Sequence, residues 1–306
     1  MTDIADPDPM MTVPSGVFWM GAEDHYPEEG PVRPVEVDAF RIDRHPVTNR
    51  QFARFVAATG YVTVAERPLD PADYPGVGAD RLVPGALVFR APRGGASARN
   101  VGDWWVYVPD AQWRRPEAAT TVFAGRLDHP VTCVTHEDAA AYAAWAGKRL
   151  PTEAEWECAA RGGIEKATYA WGNEMMPGGK RMANIWMGEF PHGDRRPKGH
   201  RTTRVGSFPC NGYGLVDMIG NVWEWTSDWY RTDCHTRPAS SCCLAPDDSY
   251  DPEQPHIRIP RRVLKGGSFL CAPNYCARYR PAARQAQMVD TASVHIGFRC
   301  AVDADS

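Results

Sequence analysis

The chain has 306 residues, 43% of them hydrophobic, enough to bury a sizeable core in one large domain or two ordinary ones. A net charge of −4 gives no reason to expect nucleic acid or an anionic membrane as partner. The first ten residues, Met-Thr-Asp-Ile-Ala-Asp-Pro-Asp-Pro-Met, hold no positive n-region and no apolar h-region. No apolar run reaches the ~18–20 residues that span a bilayer, so a soluble cytoplasmic protein is expected.

Few segments read as regular elements. A strand-like alternation occurs at Val35-Glu36-Val37. The first helix is expected over 49–59, with Thr48 as N-cap, Phe52, Phe55 and Val56 on one face, and Gly60 at the stop. Residues 66–128 are rich in Pro, Gly and Asp and read as a long excursion, though they carry Trp104, Trp105 and Trp113. A second helix is expected over 136–146, opened by Thr135 and Asp138 as a variant capping box. A third follows Pro151: Thr152 and Glu155 form a capping box, and Gly162-Gly163 ends the helix after Arg161. A last strand is expected at Ile296–Cys300. The remainder is turn chemistry, with 27 Gly and 27 Pro, anchored by eleven Trp and eleven Tyr. No internal repeat or low-complexity linker appears, so one domain over 1–306 is expected, with a disordered N-terminus of about 1–11.

Nine cysteines, at 133, 158, 210, 234, 242, 243, 271, 276 and 300, cannot all pair within the chain. In a reducing compartment their weight shifts from disulfides to metal or redox roles. Cys133 and Cys158 lie in or beside apolar helical patterns and read as small core hydrophobes. Cys242 and Cys243 are adjacent, which chelates one ion poorly, and no role follows for them. Cys271 and Cys276 differ. They sit among glycines, aromatics and arginines in Lys-Gly-Gly-Ser-Phe-Leu-Cys-Ala-Pro-Asn-Tyr-Cys-Ala-Arg-Tyr-Arg (265–280), where two close thiolates make a disulfide, a soft-metal site or a redox nucleophile.

Seven further motifs occur in order. They are Gly-Lys-Arg-Leu-Pro-Thr-Glu-Ala-Glu-Trp-Glu (147–157), Ala-Trp-Gly-Asn (170–173), Ala-Asn-Ile-Trp (183–186), Asn-Gly-Tyr-Gly-Leu (211–215), Gly-Asn-Val-Trp-Glu-Trp (220–225), Lys-Gly-Gly-Ser (265–268) and Gly-Phe-Arg-Cys (297–300). Together they resemble the formylglycine-generating enzyme (sulfatase-modifying factor) family, from about Val13 to Cys300. The 147–157 and 220–225 runs mark the superfamily alone, which also holds iron-dependent sulfoxide synthases and non-catalytic lectin-like modules. The discriminating element is Gly-Gly-Ser-Phe-Leu-Cys followed at five residues by Cys276. The nine histidines include no pair at i,i+3 or i,i+4, which argues against the iron enzymes.

The resemblance implies an α+β chain in the formylglycine-generating-enzyme fold, a C-type-lectin-like variant with little regular secondary structure. It implies O₂-dependent oxidation of a cysteine to Cα-formylglycine in an unfolded sulfatase segment, typically Cys-X-Pro-X-Arg, by a monomer using one Cu(I) held by Cys271 and Cys276. Ser268 and Trp223 match the family's active-site serine and tryptophan. Arg278 and Arg280 would lower the thiol pKa values if they point that way. Tyr275 is the expected substrate-lining residue. His295 stands where the family has an asparagine near the oxygen site. Positions matching the disulfides of secreted members are Ala143, opposite Cys300, and Pro281, so those bridges cannot form. Two structural Ca²⁺ sites are implied as well. One maps onto Asp217, Met218, Gly220 and Val222 and is expected to be filled. The other maps onto Asn184, Ile185, Lys198 and His200. There the Lys198 ammonium is expected to replace the ion, held by the Asn184 amide oxygen and the Ile185 carbonyl.

Overall fold

In a computed structural model the chain is described over residues 10–72, 74, 76–92, 101–196, 201–231 and 246–304. In chain order the strands and helices are β1 Met10–Val13, β2 Gly16–Met20, β3 Arg33–Val37, β4 Phe40–Asp43, α1 Asn49–Thr59, β5 Gly85–Phe89, β6 Trp105–Pro109, α2 His136–Trp145 and α3 Glu153–Arg161. They continue with β7 Trp223–Trp229, β8 Arg261–Lys265, β9 Arg284–Met288, β10 Ile296–Gly297 and β11 Ala301–Asp303. The architecture is α+β with short elements and long connections.

α2 and α3 start on the expected capping boxes, Thr135 with Asp138 and Thr152 with Glu155, and at α1 the expected N-cap Thr48 gains a box partner in Gln51. Gly60 and Gly162 end α1 and α3 in the left-handed region. Two expectations shift. Met10 and Met11 are not disordered: they pair with Asp43 and Ile42, because β1 extends through Val13, whose side chain lies in the core. The last strand splits into β10 and β11, since Phe298, Arg299 and Cys300 are all buried and alternation fails. Within the long excursion β5 and β6 form a hairpin that buries Trp104 behind it.

The strands form a β1-β4-β11 sheet, a four-stranded β10-β7-β8-β9 sheet, and the β2-β3 and β5-β6 hairpins. Phe52, Phe55, Trp113, Tyr142 and Phe298 interlock edge-to-face and stacked between α1, α2 and β10. A second cluster, with Val88, Phe89, Trp104, Trp186, Phe190 and Phe269, packs behind the β5-β6 hairpin.

The motif residues become a buried ion framework. Arg299 makes a bidentate pair with Glu224 (2.7 and 2.8 Å) and also donates to the carbonyls of Asp43, Arg44, Val216 and Asp217. Trp156 Nε1 donates to the same Glu224 carboxylate at 2.7 Å. Lys265 Nζ reaches Glu157 at 3.0 Å, Glu157 accepts from Arg161 and from the Gly21 N–H, and Glu153 holds Arg284 through both oxygens. One motif thus supplies the buried partner of another.

Candidate active site

The connection from β8 to β9, residues 266–283, carries the cysteines. Its opening glycines are required by close approach. A Cβ on Gly266 would lie 2.7 Å from the Met218 carbonyl oxygen, and one on Gly267 2.8 Å from that of Arg278. Both also take positive φ, 92° and 72°. The chain then turns: Cys271 N–H donates to the Ser268 carbonyl, and the Tyr275 and Cys276 N–H groups share the Ala272 carbonyl. Trp186 N–H donates to the Cys271 carbonyl at 2.9 Å, pinning the loop from behind.

These turns bring Cys271 Sγ and Cys276 Sγ to 3.5 Å, well beyond the ~2.05 Å of a disulfide, so both are thiols. Cys271 is 2% exposed, and its sulfur accepts from the Ser268 N–H. Cys276 is half-buried and lines a cleft of about 330 Å³. Ser268, Trp223, Tyr275 and His295 line the same cleft, so the structure assembles every residue the sequence analysis placed at the reacting centre.

The two thiols are electrostatically unequal. Burial pushes the Cys271 thiol well up, and its neighbour Cys276 adds to the rise. The Cys276 thiol is held below its ordinary value, first by the hydrogen bond from Cys271 and then by the charge of Arg278, with Arg280 contributing. The arginines do point that way. Arg280 is fixed by a bidentate pair with Glu29 (both 2.6 Å), and Arg278 pairs with Glu28 at 2.7 Å and stacks on Tyr26. Cys276 is therefore the first thiolate, and Cys271 the thiol that bonds it.

His295 Nδ1 bonds Ser293 Oγ at 2.7 Å, and its ring packs against Trp105 at 4.6 Å. Burial lowers its pKa to about 3, so the imidazole is neutral at physiological pH. Parallel pairing of β10 with β7 places it beside Trp223, whose N–H donates to the His295 carbonyl. Tyr275 is 39% exposed and stacks flat on Phe190 with centroids 4.4 Å apart, which leaves its other face to the cleft.

Several functional neighbours carried no local signal. Tyr26, Glu28 and Glu29 come from a short turn; the Tyr26 hydroxyl receives the Ala277 N–H from 251 residues away. Trp105, Gln285 and Gln287 complete the cleft wall. Leu87 and Thr291 are shared with a second, largely apolar basin of about 490 Å³, lined by Ala65, Leu69, Leu82 and Ile259 and carrying Asp290. The Tyr74 hydroxyl donates to Asp290.

Comparison with known proteins decides the family. A family model described as the sulfatase-modifying factor enzyme 1-like domain matches residues 2–304. The chain belongs to the sulfatase-modifying factor family. It is 54% identical over 295 residues to a formylglycine-generating enzyme of Mycobacterium tuberculosis, covering 96% of this chain and 97% of the relative. It is 48% identical to one of Thermomonospora curvata, covering 96% and 93%. A Bos taurus relative called an inactive Cα-formylglycine-generating enzyme is 38% identical, covering 96% and 88%. The solved structure of PvdO from Pseudomonas aeruginosa shares the fold, with a TM-score of 0.64 at 23% identity over 99% of this chain and 97% of that one.

The two implied calcium positions look different. Asp217 is 6% exposed and accepts the Gly206 N–H at 2.6 Å. Burial raises its pKa to about 6, and Arg299, whose charge acts against that rise, is paired with Glu224. A buried carboxylate without an ion pair among the described residues, followed by the carbonyls of Met218, Gly220 and Val222 in a loop coiled by positive φ at Asp217, Gly220 and Asn221, is a donor set suited to a hard cation. At the other position the Asn184 amide oxygen accepts from Arg196 at 2.8 Å. Lys198 and His200 lie outside the described residues, as do Cys234, Cys242 and Cys243. Among the described residues no cluster of three His, Cys, Asp or Glu side chains could hold a metal. No helix there is long and apolar enough to cross a membrane.

Proposed function

We propose that this protein converts a cysteine in an unfolded, sulfatase-type Cys-X-Pro-X-Arg segment to Cα-formylglycine, using O₂ and one Cu(I), and acts as a cytoplasmic monomer. The observation that carries this reading is the pair of reduced thiols 3.5 Å apart at the wall of a cleft that already holds Ser268, Trp223 and His295. Two thiols with no carboxylate between them suit a soft monovalent cation and reject hard ones. Cys271 and Cys276 would hold it. When bound, Cu(I) supplies a soft Lewis acid able to exchange electrons with O₂.

The chain's own groups have definable tasks. Arg278 and Arg280 favour the Cys276 thiolate, so less free energy is spent on deprotonation when the ligand forms. Ser268, fully buried, accepts the Leu270 N–H at 3.2 Å, and its hydroxyl proton remains available to sulfur or oxygen. Trp223 and Trp105 wall the cleft against water. Neutral His295, tethered by Ser293, is the polar side chain that faces the oxygen side. The client enters extended, since a folded chain could not bring its sulfur to a half-buried thiol. Beyond the cleft the apolar basin suits the client's flanking residues, and Asp290 in its wall suits the client arginine. The net change takes two electrons from the client's Cβ–S unit and releases sulfide. O₂ takes four electrons to form water, so a thiol reductant supplies the other two. One Ca²⁺ is assigned to the Asp217 loop.

The test is mass spectrometry of a Cys-X-Pro-X-Arg peptide after incubation with the protein, copper, reductant and O₂. An aldehyde in place of the thiol is expected. Peptide binding without any aldehyde would support the non-catalytic lectin-like module instead.

A further inference from the structure

The Asn184 amide oxygen, where the family resemblance implies a calcium ion, accepts a hydrogen bond from a cationic side chain of the chain itself. Arg196 is 8% exposed, and its Nη1 donates to Asn184 Oδ1 at 2.8 Å. Its Nε and Nη2 clamp the Asp194 carboxylate at 2.6–3.0 Å. The guanidinium lies 5.7 Å from the Trp186 ring centroid and 5.9 Å from that of Phe269. Asp194 is 6% exposed on its side chain, so charge, countercharge and amide are enclosed together.

What surrounds this cluster belongs to the reacting loop. Phe269 stands between Ser268 and Cys271, and its N–H donates to the Asn221 carbonyl. Asn221 is tied to Asn184 twice: its N–H donates to the Asn184 carbonyl, and its side-chain oxygen receives the Asn184 amide at 3.1 Å. Trp186 holds the Cys271 carbonyl. Phe269 directly, Trp186 in two contacts and Asn184 in three thus connect Arg196 to the backbone that carries Ser268 and Cys271.

We propose that Arg196 is a built-in structural cation. Its guanidinium does at Asn184 what a bound calcium would do, and thereby acts as a positioning residue for the Ser268–Cys271 loop. This rests on the family reading only for the expectation of an ion there. A guanidinium has advantages in this place. It is planar, permanently charged and bidentate to Asp194, and it stacks on the aromatic rings that a hydrated ion would wet. The placement of Cys271 then becomes independent of external calcium.

The experiment uses the full-length protein, loaded with calcium and desalted, with three readouts: bound calcium, melting temperature with and without a chelator, and steady-state kinetics on the peptide. Wild type should hold about one Ca²⁺ per chain, and Asp217→Ala, which removes the side-chain oxygen, none. The chelator should leave the melting temperature of Asp217→Ala unmoved. Arg196→Met, similar in length but uncharged, should melt lower and lose kcat severalfold with KM nearly unchanged. Arg196→Lys should recover part of both. Wild type with two calcium ions, or Asp217→Ala retaining one that Asp194→Ala removes, would overturn the proposal. So would Arg196→Met with wild-type melting and kcat. If no variant or wild type turns over peptide, the calcium and melting readouts still decide the role of Arg196, separately from the reaction.

Discussion

The segment from Lys265 to Arg284 has two faces of opposite character. One face, Lys265, Arg280 and Arg284, is locked to Glu157, Glu29 and Glu153 in ion pairs of 2.6–3.0 Å, all buried. The other face, Ser268, Cys271, Tyr275 and Cys276, meets a cleft, and its two sulfurs are held by each other, by Ser268 and by the Arg278 N–H, with no ion pair. The saturated face fixes the backbone. The unsaturated face keeps thiols available for a ligand. Stability and chemistry are thus divided between alternate sides of one short run.

Substitutions should separate the two. Cys271→Ser and Cys276→Ser should each abolish turnover while the melting temperature stays within a few degrees, because a hydroxyl fills the space but is a poor partner for Cu(I). Peptide kinetics and a thermal melt on the same preparations check this; near-native turnover in either variant breaks the division. On the other face, Glu157→Ala strands Lys265 and Arg161 in the core. Losing one partner of a buried pair costs about 3–5 kcal/mol. Urea unfolding should show a loss of that order, and a change below about 1 kcal/mol would mean the framework is not what holds the loop.

A smaller effect concerns the client. Asp290→Asn should raise KM severalfold for a peptide carrying the motif arginine and leave it unchanged for the Arg→Ala peptide. Equal shifts for both peptides would remove Asp290 from arginine recognition.

The thiols themselves sharpen the contrast. In metal-free protein at neutral pH, iodoacetamide should label Cys276 before Cys271, since the Cys271 hydrogen bond and the charge of Arg278 favour the Cys276 thiolate while burial opposes ionisation at Cys271. Peptide mapping of the first label would show the reverse if the assignment is wrong.

A further effect is on pH-dependent stability. Asp228, half-buried beside Glu153, has its pKa raised to about 6, first by desolvation of its carboxyl and then by the Glu153 charge. Its folded value lies above the unfolded 3.8, so the folded state holds the proton more tightly. Its contribution is complete below about pH 4 and is lost as pH rises towards 6, by up to about 3 kcal/mol. Asp228→Asn should flatten that part of the stability curve, and an unchanged slope would place the titration elsewhere.

The sequence made the helices legible because their signals are local: a capping Thr, a Gln, Asp or Glu three residues on, and in α1 and α3 a Gly at the stop. The cysteine pair was legible for the same reason, lying five residues apart. The ion framework was not. Glu224 meets Arg299 across 75 residues and Arg280 meets Glu29 across 251, so no window of sequence contains both partners. Arg196 was missed for a different cause. Comparison with a family pattern pointed only to the residue aligned with the missing carboxylate, Lys198, which lies outside the described residues; nothing local marked the guanidinium two residues earlier, which reaches Asn184 and is held by Asp194.

The most direct test is an anaerobic Cu(I) titration of the reduced protein against a competing chelator. Tight binding of one Cu(I) per chain in wild type, lost by orders of magnitude in both Cys271→Ser and Cys276→Ser, is the predicted result. No Cu(I) binding by wild type, or affinity that survives removal of either cysteine, would contradict it.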